Sequence, residues 1–541
     1  MAVVWLNLLA SAFFVRVDLT EEQRFTIKDA TKNMLADLDD QVYVEVFLEG
    51  ELNSSFKRFQ RYIRETLEEF RIYSDGKVNF LFYDPATALT DKARGEFMQG
   101  LMAKGIQPTN IIDTRDGNRV EKLIFPGAIV SYGGVEEGVM LLGGAKAGTA
   151  EEKINQSIEG VEYALASAIE KLTKIERKKL GVLRGHGELD DREMASLLAE
   201  LDQAYLLKEV TLDRQVGDID GLLIAKPTQA FSEEEKYRLD QYIMRGGKVL
   251  MMLDRIQANM DSASAETNFS FPYDLNLDDQ LFRYGVRINP DLIQDNTAAR
   301  YPVNVGNMGD QPQIKLIKWW FYPLFNRFAS HPVTRNMDAV LGRFVSTIDT
   351  VKAIGVKKTP LIFTSDYSRS LTAPVNVSLQ DLRKNLTPEM LDMPNLPVAY
   401  LLEGTFTSLF KNRFKPEQAD DSDFIDTSAP SAKLLVVSDG DFARNDINPS
   451  TGNPQPLGYD PFAQVSYANQ DFILNALNYL MDEGGLITAR NKEIKIRPLD
   501  KVKVKEERLY WQIINLVLPV VLLVLYGLLR WYWRKRKYSR F

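Results

Sequence analysis

Residues 42–48 (VYVEVFL) alternate between bulky apolar and polar or exposed-type positions, the period-two pattern of a strand with one buried face. Phe56, Phe59, Ile63, Leu67 and Phe70 then recur at steps of three and four, which predicts a helix over 56–73 with one apolar face. A shorter helix is expected at 28–38, and a strand at 78–85 stopped by Pro85. A hairpin is expected from 128–132 to 139–142 across Gly133-Gly134, followed by a long amphipathic helix over 151–175. The order β-α-β, then β-β-α, is that of a thioredoxin-like sheet. The redox Cys-x-x-Cys is missing, so disulfide exchange is excluded.

A second α/β pattern starts near Arg177. Buried-type strands are predicted at 180–183, 205–212, 221–225 and 248–254, with helices from about Asp190 to Gln203 and from Ser232 to Gly246-Gly247. Ser232-Glu233-Glu234-Glu235 is the capping box that opens the second helix. Strands alternating with helices at this spacing predict a mostly parallel sheet with helices on both faces. Between about 258 and 430 the periodicity weakens. The Pro-, Asn- and Gly-rich stretch 289–313 reads as a long surface insertion and 420–431 as an acidic loop. The sheet is expected to resume at 433–441, followed by a helix over 469–481. The alternating apolar and basic residues 494–505 join this body to the C-terminal apolar segment.

Residues 511–529 (WQIINLVLPVVLLVLYGLL) are uncharged and long enough to cross the ~30 Å hydrocarbon core of a bilayer as a helix. Trp511 and Tyr510 at one end, and Trp531, Tyr532 and Trp533 at the other, are the aromatics expected at headgroup level, and Pro519 is tolerated in such a helix. Arg530, Arg534, Lys535, Arg536, Lys537 and Arg540 follow without an acid, so the tail is expected on the cytoplasmic side. Residues 2–15 are apolar but short for a span and lack a preceding basic residue. They read as part of a second anchor, with a signal peptide as the competing reading. The expected division is therefore 1–17 partial anchor, 18–175 thioredoxin-like domain, 176–490 central α/β domain with insertions over about 258–430, 491–509 linker, 510–533 membrane helix and 534–541 basic tail.

Composition narrows the function classes. The 541-residue chain is 45% apolar and 26% charged, enough for several folded domains. Its formal net charge is −8, and setting aside the six tail cations leaves −14 on the rest, which argues against nucleic acid as a partner. There is no cysteine, which excludes disulfides, thiolate metal sites and a cysteine nucleophile. The stretch Gly143-Gly144-Ala145-Lys146-Ala147-Gly148-Thr149 lacks the lysine that a phosphate-binding loop needs after its last glycine. No Gly-x-Gly-x-x-Gly opens a helix either.

Candidate chemistry concentrates where strands end. Gly185, His186, Gly187 and Glu188 lie where the first parallel strand meets its helix, and Asp254, Asp439 and Asp441 also follow strands. Open α/β sheets place ligand sites at such ends. A ligand-binding cleft of these seven residues is one reading; a tight glycine turn around a hydrogen-bonded His186 is the other. A hard-cation site of Glu188, Asp439 and Asp441 would have only three oxygen ligands placed by spacing, and a zinc site only one imidazole, so no metal, cofactor or catalytic residue is expected. Beside Pro332, His331 reads as a loop-fixing residue.

Several of these segments occur together in one known family. Phe13-Phe14-Val15-Arg16-Val17-Asp18-Leu19-Thr20, Arg184-Gly185-His186-Gly187-Glu188, Ser330-His331-Pro332-Val333-Thr334-Arg335-Asn336, Ser438-Asp439-Gly440-Asp441-Phe442 and the closing anchor resemble GldG, the gliding-motility-associated ABC-transporter auxiliary family of Bacteroidetes-type bacteria. The resemblance covers nearly the whole chain. It implies a non-enzymatic subunit in the inner membrane, with its bulk periplasmic, working beside an ABC permease (GldF-like) and an ABC ATPase (GldA-like). The resemblance also implies that the central domain has a glutamine-amidotransferase-like fold, related to one in an intraflagellar-transport protein. A solute- or glycan-binding receptor is the alternative role.

Overall fold

The computed structural model describes residues 26–538 apart from breaks at 86–89, 116–117, 144–148, 175, 264–267, 309–310, 384–385, 418–422 and 492–500. The expected N-terminal anchor, most of the linker and part of the acidic loop therefore lie outside the described residues. The chain divides into two compact units, Met1–Glu493 and Ile494–Phe541.

In the first unit, helix α1 (Asp29–Ala36) precedes strand β1 (Val42–Val46), whose Val42, Val44 and Val46 are buried while Tyr43 and Glu45 are exposed. Helix α2 (Ser54–Tyr73) buries the predicted stripe of Phe56, Phe59, Ile63, Leu67 and Phe70, and its N-terminus is capped by the Asn53 side chain. Strand β2 (Val78–Phe82) pairs in parallel with β1, and β3 (Gly127–Tyr132) pairs antiparallel on its other side. Strand β4 (Val135–Met140) completes the order β2-β1-β3-β4 across the Gly133-Gly134 turn. Helix α3 (Ala150–Thr173) opens with a capping box of Thr149 and Glu152 and packs on α2.

The larger sheet has eight strands. Strands β5 (Lys179–Leu183), β6 (Leu206–Val210), β7 (Gly221–Ala225), β8 (Lys248–Met252) and, much later, β14 (Lys433–Val437) run parallel in the spatial order β6-β5-β7-β8-β14. Each central strand is apolar on both faces because helices cover both. Leu223, Leu250 and Leu435 pack toward helices α4 (Ala195–Ala204) and α7 (Asn469–Met481). Their neighbours Leu222, Val249 and Leu434 pack toward α5 (Glu233–Met244) and α6 (Asp278–Tyr284). Each fully buried aliphatic side chain contributes roughly 1.5–3 kcal/mol relative to exposure.

Two expectations need correction. The sheet does not resume only at Lys433, because β12 (Val356–Phe363) and β13 (Pro397–Gly404), from the weakly periodic region, extend it antiparallel beyond β14, with β11 (Arg327–Phe328) at the edge. The stretch 289–313 is not an irregular insertion either. It holds β9 (Ala298–Met308), which pairs with β10 (Gln311–Phe325) in a long hairpin whose base buries Trp319 and Phe321. Pro302 is tolerated because β9 is the edge strand of its sheet, and the register shifts at a bulge between Asn304 and Asn307.

The two α/β regions of this unit are tied by the loop that follows β11. Arg335 lies 3.2 Å from Glu159 on α3, and the Asn336 amide donates to the same carboxylate at 3.1 Å. In the second unit, helix α8 (Arg508–Tyr538) spans 31 residues and is, by length and composition, apolar enough to cross a membrane.

Candidate functional site

The carboxyl ends of β7, β8 and β14 lie side by side, and each delivers a charged residue to the same edge of the sheet. Lys226 follows β7, Asp254 follows β8, and Asp439 and Asp441 follow β14. The Lys226 ammonium lies 2.9 Å from Asp254 Oδ2 and 2.6 Å from Asp441 Oδ1, bridging two strands' ends. Lys226 adopts a left-handed backbone (φ 55°), rare away from glycine, and such strain persists only where the surroundings over-determine it. Gly440 makes room for the lysine: a Cβ there would fall 2.5 Å from that of Lys226.

The remaining valences are met by backbone. Gly440 N–H donates to Asp254 Oδ1 at 2.6 Å, Asp441 N–H to Asp439 Oδ1 at 2.8 Å, and Arg343 N–H to Asp439 Oδ2 at 2.7 Å. Arg343 in turn makes a bidentate pair with Asp446, at 2.8 and 2.6 Å. These contacts set the electrostatics. Burial by itself would lower the Lys226 pKa, but the two carboxylates outweigh it and hold the ammonium charged well above its ordinary range. Burial raises Asp441, and Lys226, Arg343 and Arg444 reverse this to leave it low. Asp439 goes the other way, because burial and the neighbouring Asp441 and Asp254 all push its pKa up.

Asp254, Asp439 and Asp441 offer carboxylate oxygens within 4.8 Å of one another, a donor set a hard cation takes. Here the Lys226 ammonium stands against two of the three, so the cluster carries its own counter-cation. A cavity of about 530 Å³ is lined by Lys226, Asp441, Arg343 and Arg444 together with Tyr301, Tyr322, Phe344 and Phe462.

The structure places the other four predicted residues in a cluster with different partners. Gly185 and Gly187 both have positive φ, 118° and 69°, and a Cβ on Gly187 would meet Thr228 Oγ1 at 2.3 Å. Between them, His186 is buried with its ring stacked on Phe231, centroids 3.8 Å apart and planes 8° from parallel. Its Nδ1 lies 3.4 Å from Glu188 and its Nε2 3.3 Å from Glu235, ion-pair distances without hydrogen-bond alignment. Burial, the largest single influence, lowers the His186 pKa, yet the two carboxylates together leave it raised. Glu188 also accepts from His186 N–H at 2.8 Å, and the His186 carbonyl accepts from Thr228 and Gln229 N–H.

Sequence reasoning thus missed Lys226, Arg343, Glu235 and Phe231. Lys226 was findable, since it follows a strand as the acids do. Arg343 sits in the weakly periodic region and has no local signal.

Residues 177–476 match a family model described as an ABC-type uncharacterized transport system. The chain belongs to this family. The match spans β5 to most of α7 and so contains both clusters. Residues 21–131 match a domain of unknown function, DUF7088. An uncharacterized protein of Borreliella burgdorferi is 22% identical over 546 residues, covering 97% of this chain and 95% of that one. The solved structure titled mmIFT52 N-terminal domain covers 56% of this chain and 96% of its own at 12% identity, with a TM-score of 0.31. A likeness at that score does not establish a shared fold.

Proposed function

We propose that this chain is a non-enzymatic, membrane-anchored, extracytoplasmic subunit of an ABC-type transport complex, coupled to a permease and to a separate ATPase. Family membership supports the transport context, and helix α8 supplies a segment suited to membrane anchoring. The observation that carries the non-enzymatic reading is the engagement of each acid in the cleft. Asp254 and Asp441 are held by Lys226, and both Asp439 oxygens accept backbone N–H groups, so the cluster reads as a built-in lock across the strand ends. A general base or nucleophile needs a group free to act on a substrate.

The finer assignment, to a gliding-motility system with GldF-like and GldA-like partners, is supported by the sequence resemblance. The order of elements along 18–175 supports a thioredoxin-like fold there, and the resemblance supports a glutamine-amidotransferase-like fold for 176–490. Purification of the tagged chain from native membranes tests the role. Co-purification of a multispanning permease and an ATPase is the expected result, and isolation of the chain without either overturns it.

A solute-receptor role is the second reading, favoured by the 530 Å³ cavity with its aromatic and charged lining. A bound solute released on denaturing the purified body would establish it.

A further inference from the structure

A second concavity lies away from the Lys226 cluster, in a groove of about 600 Å³ lined by Arg255, Arg283, Arg287 and Arg413, with Asp278 and Asp279 as its acids. Four guanidinium groups against two carboxylates make this a basic groove in a body that is otherwise acidic. Three of the arginines are tethered within the protein. Arg255 Nη2 lies 2.8 Å from Asp278, Arg287 lies 2.9 Å from Asp349, and Arg413 pairs with Asp279. Asp279 is shared with the buried Lys236 ammonium, so it does not cancel Arg413 alone.

Arg283 differs. Its Nε donates to the Ser408 carbonyl at 3.3 Å, which orients the guanidinium, and among the described residues its two terminal nitrogens have no acceptor. The walls on either side are rigid. Buried Asp240 accepts from Tyr284 on α6 at 2.7 Å, and from the Ser408 hydroxyl and Leu409 N–H on the opposite wall at 2.6 and 2.9 Å. One buried carboxylate thus fixes both the helix that carries Arg283 and the turn that leads to Arg413. A guanidinium held by its Nε, with its terminal pair free, has the fork geometry that binds an oxyanion through two parallel N–H bonds.

We propose that this groove is an oxyanion-binding site, in which Arg283 takes a phosphate group bidentately while Arg413, whose Asp279 is shared with Lys236, supplies flanking positive charge. The inference stands independently of the transport reading. Free inorganic phosphate and the phosphodiester of a lipid headgroup share this chemistry, and the test separates them.

The full chain in uncharged detergent is titrated calorimetrically with inorganic phosphate and, separately, with the water-soluble diester glycerophosphoglycerol, at ionic strength matched with chloride. Saturable binding of at least one is expected, and whichever binds identifies the source. Arg283→Gln should weaken it by about tenfold or more, and Arg283→Lys should also weaken it, because the charge remains but the fork is lost. Arg300, which lines the 530 Å³ cavity by the Lys226 cluster, serves as the control, and Arg300→Gln should bind as wild type. Absence of saturable binding by both probes overturns the proposal. So does unchanged affinity in Arg283→Lys, which also decides the matter should Arg283→Gln melt below the titration temperature.

Discussion

His186 and His331, the chain's two histidines, sit in opposite electrostatic surroundings, and their contributions to stability should change with pH in opposite senses. His331 is pushed down to about 4, chiefly by burial, with Glu403 opposing and Lys357 and Lys433 reinforcing. Its Nδ1 accepts from Val333 N–H at 3.3 Å, which requires the unprotonated nitrogen. A depressed pKa means its contribution is intact above the ordinary value of 6.5 and is lost as pH falls from there toward 4. His186, whose pKa is raised, contributes fully below 6.5 and loses that contribution as pH rises through its folded value. Urea unfolding across a pH series should therefore show a shallower acid-side loss in His331→Gln and a shallower loss above pH 6.5 in His186→Gln. Identical profiles for the two variants would reject both assignments. Lys226→Met leaves Asp254 and Asp441 buried without their cation, so a loss of about 3–5 kcal/mol is expected at neutral pH, partly recovered where carboxylates protonate. A change under about 1 kcal/mol would mean that the bridge contributes little. The strand-end rule pointed to the acids from sequence. It left Lys226 unmarked because a lysine before a proline looks like an ordinary turn.

At the scale of elements, helix α5 begins on a capping box in which Ser232 accepts from Glu235 N–H and Glu235 accepts from Ser232 N–H. Glu235 also faces His186, so one side chain serves the helix start and the glycine turn of β5. Ser232→Ala should cost about 1 kcal/mol, the ordinary loss of a cap. Glu235→Ala should cost more, and a His186/Glu235 double-mutant cycle should show coupling of about 0.5 kcal/mol or more. Additive losses in that cycle would make the cap the whole of Glu235's role. The cap was legible because its residues are local. The β9–β10 hairpin was not, since Pro302, Asn304, Gly306 and Pro312 carry turn propensity that only pairing with a distant part of the chain and burial of Trp319 and Phe321 override.

For the whole molecule, the basic residues in the last turns of α8 predict a cytoplasmic C-terminal end with the folded body on the other side. The chain has no cysteine, so single cysteines at the exposed positions Ser450 and Tyr538 report topology directly. In intact spheroplasts, an impermeant maleimide should label Ser450→Cys and spare Tyr538→Cys; the reverse pattern would invert the topology. The interface between the two α/β regions offers a further check. Arg335→Ala leaves Glu159, a mostly buried carboxylate, with only the Asn336 amide of this loop beside it. Melting should become less cooperative or fall in midpoint, and an unchanged melt would show that other contacts hold the regions together.

Features that depend on neighbours a few residues apart were settled by the chain's local order. The period-two strands, the 3.6-period helices, the Ser232 and Thr149 caps, the positive-φ glycines 185 and 187 and the apolar span 511–529 are all of this kind. Long-range packing decided the strand order, in which β14 lies beside β8 although the intervening chain is long, and this adjacency brings Asp254, Asp439 and Asp441 around Lys226. It also parted His186 and Glu188 from those acids by giving them Phe231 and Glu235 as partners. Charge pairing across a sheet edge depends on which strands become neighbours, and that choice is made by burying the two apolar faces of the sheet together rather than by any one residue's surroundings in sequence.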